Sequence, residues 1–498
     1  MKGILFFVLV LSTFNGFAQK NAKPEVYAKT ITAADLKKRL YILASADMQG
    51  RETATEGQRK AAAYIESEFK SLGLQPGNGD NYQLFYNVYQ DSLIGATLEV
   101  NGQSFRVDKD FNASLNNIPA TMRFNEIVFV GANAIDSLKN ANLAGRAVMI
   151  IGGLPMGFGR GQNTPGVYQM LNSQGVAAII SVGTNYPKTT ATAVKGNQYV
   201  NAFRRNVGPQ VFTVSENVAR KIVGADYDNV KSNTSLIKPY SAEVFLDVKK
   251  ESLTVQSSDV IGVIPGTDLK DEYLVISAHH DHLGMRNGAI YYGADDDGSG
   301  TVGIMQIAQA FAKAKAEGKG PRRSIIFLSV SGEEKGLWGS DYYTSHPTFP
   351  LEKTTADLNI DMIGRTDSSR KIGDSSNYVY VVGDDKLSTD LRTISEAVNK
   401  KYLKMELDYK FNDPNDRQRI YFRSDHYNFA KHGVPIIFYY DGMLGADYHK
   451  PTDTPDKINY NLMAKRAQLV FYTAWEMANR NDMLKRDLSL QIPSRANP

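Results

Sequence analysis

From Asp259 onward the chain repeats one pattern: a short run apolar at nearly every position, a polar cluster where the run stops, then a helical stretch. The runs are DVIGVIPG, EYLVISAHHD, RSIIFLSVSGEE, DLNIDMIG and VPIIFYYDG, with helical periodicity at about Gly300 to Lys315 and Leu387 to Val398. A strand apolar on both faces must be covered on both faces, and strands separated by helices pair in parallel. This half of the chain is therefore expected to be α/β, a mixed, mostly parallel sheet sandwiched by helices. Ligands of such sheets gather beyond the carboxyl ends of the strands. The clusters HHDH, SGEE, NID and YYDG fall there.

The upstream half has a different texture. Thr55 to Leu72 reads as an amphipathic helix, with Ala62, Ile65, Phe69 and Leu72 on one face and Gly73 as its stop. From about Leu93 to Val255 short β-like runs dominate, one helix-like VYQMLNSQG lies among them, and histidine is absent. That block reads as a separate, smaller α+β domain, and a chain of 498 residues exceeds the ~250–300 that one core supports. The opening MKGILFFVLVLSTFNGFAQK has a positive start, an apolar core and a small-x-small site at Gly16-Phe17-Ala18, the pattern of a secretory signal peptide. The expected layout is a leader at 1–18, catalytic segments at 19–92 and 256–498, and an inserted domain at 93–255. An exported protein, periplasmic or secreted, is implied. No later run reaches the ~18–20 apolar residues of a transmembrane helix. A net charge of +4 without any Lys/Arg run excludes a nucleic-acid or polybasic membrane partner. Cysteine is absent, so any metal must be held through nitrogen and oxygen.

All seven histidines lie between 279 and 449. Singly, a strand-end His, Asp or Glu is a cap or a surface charge. Here SAHHDHLG, ADDDGSG, SGEE, NIDMIG and DYHKPTDT all come to one predicted sheet edge, and burying so many carboxylates without a cation is very costly. Mixed imidazole and carboxylate ligands suit Zn²⁺, with Co²⁺ or Mn²⁺ as substitutes. The acids exceed the needs of one tetrahedral zinc, which favours two metals about 3.5–4 Å apart sharing a carboxylate. Adjacent Glu333 and Glu334 face different ways, so one can bind metal while the other faces the water as general base. Ser424, Asp425 and His426 are expected to brace the site. His346 and His432 read as surface and helix-end residues, and Asp453 as a group that orients His449 or caps a turn.

The segments AHHDH, GADDDGSG, SGEE, NIDMIG, FRSDHYNFAKHGVP and YHKPTDT, with LASADMQGRETATEGQRKAAAYIESEF and DVIGVIPG, resemble the co-catalytic di-zinc aminopeptidases of the aminopeptidase Y and transferrin-receptor-like metallopeptidase family. The likeness covers residues 38 to 90 and 255 to 475, and residues 93 to 255 resemble the protease-associated domain often inserted in that family. The resemblance implies two Zn²⁺ per chain, with His279 and Asp361 on one, Glu334 and His449 on the other, and Asp296 as the bridge. It makes Glu333 the general base and Asp281 the group that orients His279. His280 for His279, and Asp295 or Asp297 for Asp296, stay open as one-residue shifts, and His280 and His282 otherwise read as packing or pocket lining. The implied activity is removal of N-terminal residues from peptide substrates. Carboxypeptidase or dipeptidase action on the same site, and a single-zinc glutaminyl cyclase, are the alternatives. A metallo-β-lactamase HxHxDH motif is disfavoured because Ser277 stands where its first histidine belongs.

Overall fold

The computed structural model describes residues 23–134, 138, 142–151, 166–189, 191–202 and 208–490. The expected leader lies outside the described residues. The chain forms two units, one from the residues up to Tyr86 together with those from Ser257, the other from Asn87–Gln256. The first crossing comes earlier than the expected 92/93 boundary, inside the strand Gln83–Val100. An uninterrupted β pattern carries no sign of it.

In the first unit, helix α1 (Glu56–Ser71) buries Ala61, Ala62, Ile65 and Phe69. The sheet strands are β1 (Ile237–Ile264, by its last residues), β2 (Leu269–His279), β3 (Arg323–Val330), β4 (Thr354–Ile360), β5 (Tyr378–Val382), β6 (Glu406–Asp408) and β7 (Ile436–Tyr440). Their order is β6-β5-β7-β4-β2-β3-β1. Pairs β2/β3, β2/β4, β4/β7 and β5/β6 are parallel, while β1/β3 and β5/β7 are antiparallel. Strands β5 and β6 were not among the expected runs, because the polar residues around Asn377 and Asp384 conceal their short apolar stretches.

Side-chain alternation makes the sandwich. Leu274, Ile276, Phe327, Val381 and Tyr439 face a core shared with α1, α2 (Gly300–Ala316) and α3 (Tyr460–Asn479). Val275, Leu328, Val382 and Phe438 face the opposite core with Tyr343 and Phe429. Each large apolar side chain buried this way contributes about 1.5–3 kcal/mol relative to exposure, which is why both faces read as continuously apolar.

The second unit carries the parallel strands Ala120–Val130, Ala147–Ile151, Ala178–Val182 and Gln210–Val214, in that spatial order. The helix Val167–Ser173 falls between the second and third in sequence. Its core includes Leu98, Phe111, Ile127, Met149, Ile180 and Phe212. No helix among the described residues is long and apolar enough to cross a membrane.

Candidate metal centre

Register brings the polar clusters together. His279 pairs with Val330, Ser277 with Asn359, and Ile360 with Tyr439, so β2, β3, β4 and β7 end at one edge. Past β3 the chain turns at Gly332, with φ +76°, into a short helical turn Glu333–Lys335. A Cβ on Gly332 would meet the Tyr86 hydroxyl at 2.7 Å and Trp338 at 2.9 Å. Asp361 follows β4 directly. Asp296 lies in the segment Ala294–Ser299 ahead of α2, and His449 comes from a loop with φ +56°.

The side chains form two sets around one carboxylate. Asp296 Oδ1 lies 3.4 Å from His279 Nε2, while its Oδ2 lies 3.2 Å from His449 Nε2 and 3.9 Å from His282 Nδ1. His279 Nε2 also faces Asp361 Oδ1 at 3.7 Å and Glu333 Oε2 at 3.9 Å. Glu334 reaches His449 Nε2 at 3.1 Å and His282 Nδ1 at 2.8 Å. Glu333 and Glu334 thus face different sets.

The neighbouring acids and histidines are otherwise engaged. Asp297 comes within reach of His279 and Asp361, yet its Oδ1 accepts the backbone N–H of Gly300 (2.8 Å) and Met362 (3.0 Å) and its Oδ2 that of His279 (3.3 Å). Asp295 accepts from Gly364 N at 2.8 Å. His280 turns away, its Nε2 3.0 Å from Gln58 and its Nδ1 3.1 Å from the Ser329 hydroxyl; burial pushes it down to about 4, so it sits neutral in the core. Ser424 accepts from Asn359, Asp425 from Ser340, and His426 lies 2.7 Å from the Tyr421 carbonyl. His346 is exposed and His432 follows a helix end.

His282 was read as packing or pocket lining, and the structure places it at the candidate site. It is buried against Glu334, and neither ring nitrogen has a hydrogen-bond partner. Strand β2 stops at His279, so period-two alternation carries no information about His282 or Asp281. What holds Asp281 is its surroundings: Thr53 Oγ1 donates to its Oδ2 at 2.7 Å and Glu333 N–H to its Oδ1 at 3.1 Å. His279 Nδ1 meets its backbone carbonyl at 3.1 Å and its carboxylate at 3.6 Å. Sequence reading also passed over Arg51, which is fully buried and donates to the carbonyls of Leu43, His280, Tyr292 and Gly293. Asp453 accepts the N–H groups of Asp295 and Asp296 at 3.0–3.2 Å, so it supports the Asp296 segment rather than His449.

Burial works against the charge on Asp296, but His279, His449 and His282 hold it well below the usual carboxylate range. Burial alone would lower His449; Asp296 and Glu334 outweigh it and push the ring up to about 10. Glu333 is pushed well above its ordinary value, by burial first and then by Asp361 and Glu334. His279 Nε2, both His282 nitrogens, Asp296 Oδ2 and Glu334 Oε1 are buried without hydrogen-bond partners. Polar atoms orphaned this way and converging from two sides are what divalent cations satisfy, so the donor set fits a pair of N/O-ligated metals. A cleft opens over Asp296, Glu333 and Asp361, its other walls including Met362, Ile420, Phe438 and Leu444.

Residues 259–474 match peptidase family M28. The M28 segment accounts for β2, β3, β4 and β7 and for every carboxylate of the two sets. A probable leucine aminopeptidase of Arthroderma otae is 32% identical over 225 residues, 44% of this chain and 57% of that protein. One of Trichophyton verrucosum is 27% identical over 325 residues, 59% of this chain and 84% of that protein. The chain thus spans little more than half of the first relative's length. The structure titled a zinc aminopeptidase from Bacillus subtilis superposes with a TM-score of 0.54 at 18% identity, covering 93% of this chain and 98% of that one. That likeness shows the fold: a mixed, mostly parallel sheet flanked by helices.

Proposed function

We propose that the protein is an exported, zinc-dependent aminopeptidase that hydrolyses the N-terminal peptide bond of peptides. The observation that carries this reading is the placement of Asp296, whose two oxygens face different histidine–carboxylate sets while Glu333 stands beside one of them in an open cleft. On this reading His279 and Asp361 hold one ion, Glu334 and His449 the other, and Asp296 both, with His282 adding a nitrogen beside Glu334. The names of the fungal relatives and of the Bacillus subtilis protein support aminopeptidase action and zinc.

Bound zinc supplies Lewis acidity toward the scissile carbonyl and lowers the pKa of water toward about 7. The chain's own groups do the rest. Glu333 takes the proton of the attacking water at its carboxylate and returns it to the leaving nitrogen as the C–O bond forms and the C–N bond breaks. Asp281, tied by Thr53 and the Glu333 N–H, holds the His279 ring. The acidic floor suits a protonated α-amine, and the walls of Met362, Ile420, Phe438 and Leu444 suit an apolar first side chain. Residues 93–255 are read as a protease-associated-like unit, and export rests on the leader-like opening.

The test is a pool of peptides with free or acetylated N-termini, digested before and after chelation and zinc return, with elemental analysis of the protein. About two zinc per chain and cleavage only at free N-termini are expected. Shortening of acetylated peptides from their C-termini would replace the reading by a carboxypeptidase, and a single zinc per chain would favour a glutaminyl cyclase.

A further inference from the structure

We propose that Arg423 is a specificity residue that pairs with a carboxylate on the leaving-group side of the substrate. The protein would then favour short peptides whose second residue brings a negative charge, as a free α-carboxylate or an acidic side chain. The proposal rests on the aminopeptidase reading of the same cleft.

Arg423 lines the cleft together with Asp296, Glu333 and Asp361. It follows the tight turn Ile420–Phe422 and is exposed. Other arginines of this unit are consumed by the fold: Arg51 by four carbonyls, Arg365 by Asp447, and Arg466 by the carbonyls of Ile363, Arg365 and Tyr378. Arg423 is different. Its one side-chain hydrogen bond among the described residues runs from Nη2 to the Tyr448 hydroxyl at 3.0 Å, and no carboxylate among them pairs with it. A guanidinium carries five N–H donors in a planar fork that matches a carboxylate with two parallel bonds. The remaining donors have no partner among the described residues.

The position is also held. The Tyr448 ring stacks on His449 at 3.8 Å, and the Arg423 guanidinium lies 5.9 Å from the Tyr448 ring centre. The guanidinium is therefore tethered to the loop that supplies His449. The lining of the cleft thus carries both signs of charge, with Asp296, Glu333 and Asp361 as its acids and Arg423 as its cation. A peptide whose ammonium group and scissile carbonyl lie against the acids runs its second residue away from them. A negative charge on that residue finds a cationic side chain at Arg423.

The experiment uses zinc-loaded wild type, R423Q and R423K with Leu-Gly, Leu-Gly-amide, Leu-Glu-amide and Leu-Gln-amide. In the wild type the charged member of at least one pair, Leu-Gly over its amide or Leu-Glu-amide over Leu-Gln-amide, should lead by roughly 5–50-fold in kcat/KM, chiefly through KM. The first pair reports an α-carboxylate and the second a side chain. R423Q should bring the ratio to about one, and R423K should retain part of it. Each ratio is internal to one protein, so loss of the Arg423–Tyr448 bond, which slows all four peptides alike, cancels. Equal rates within both pairs in the wild type, or an undiminished preference in R423Q, would overturn the assignment. Cleavage of acetyl-Leu-Gly would overturn the aminopeptidase reading beneath it.

Discussion

At the scale of single residues, Glu333 and Asp296 have separable consequences. Glu333→Gln keeps the shape of the side chain and removes its basicity. We expect kcat to fall by roughly 10²–10⁴-fold with zinc content unchanged by elemental analysis; near-normal turnover would take the base role from Glu333. Asp296→Ala removes the one carboxylate common to both sets, so metal and activity should disappear together. A variant that retained two zinc ions would move the bridge elsewhere. The choice of Asp296 among three consecutive aspartates was illegible in ADDDGSG, because all three are chemically equal there. The backbone N–H groups that occupy Asp297 and Asp295 distinguish them, and these come from residues such as Met362 and Gly364, far along the chain.

At the scale of elements, the site depends on how loops are fastened to strand ends. Gly300 opens α2 where a Cβ would lie 2.4 Å from the Asp297 carboxylate and 2.5 Å from the Ile360 carbonyl. Gly300→Ala should cost about 1–3 kcal/mol of stability through overpacking, read by denaturant unfolding. Asp453 collects the amides of Asp295 and Asp296, and Asp453→Asn turns one acceptor oxygen into a donor facing donors. Zinc affinity should drop about 10–100-fold, as for other groups that orient a ligand, measured by competition with a chelating dye. Unchanged affinity would make Asp453 a turn cap and nothing more. Strands β2, β3, β4 and β7 were readable because burial on both faces imprints itself locally. The support from Thr53, Arg51 and Asp453 was not, because each acts across a sequence separation that periodicity does not span.

At the scale of the whole molecule, metal binding and stability should be linked. A ligand that binds only the folded chain adds about 4 kcal/mol at a thousand times its dissociation constant, so chelation should lower the melting temperature and zinc return restore it. Melting that ignores both would argue against a structural tie. After chelation the His279 and His449 rings carry the compensating charge. The His449 ring, about 10 in the fold against an ordinary 6.5, contributes stability that is fully present below the ordinary value and lost as pH rises through the folded one. Chelated protein should therefore weaken between those two values more than zinc-loaded protein, as thermal melts across that range would register; parallel pH profiles would rule the linkage out. By itself the sequence determined the layered α/β half, the edge where its chemistry gathers and the kinds of ligand available, because apolar runs and residue types are local properties. Only the tertiary structure decided which aspartate faces both sets, that His282 lies against Glu334, and which arginine lines the cleft. Those outcomes depend on hydrogen-bond partners and strand register contributed by residues far apart along the chain.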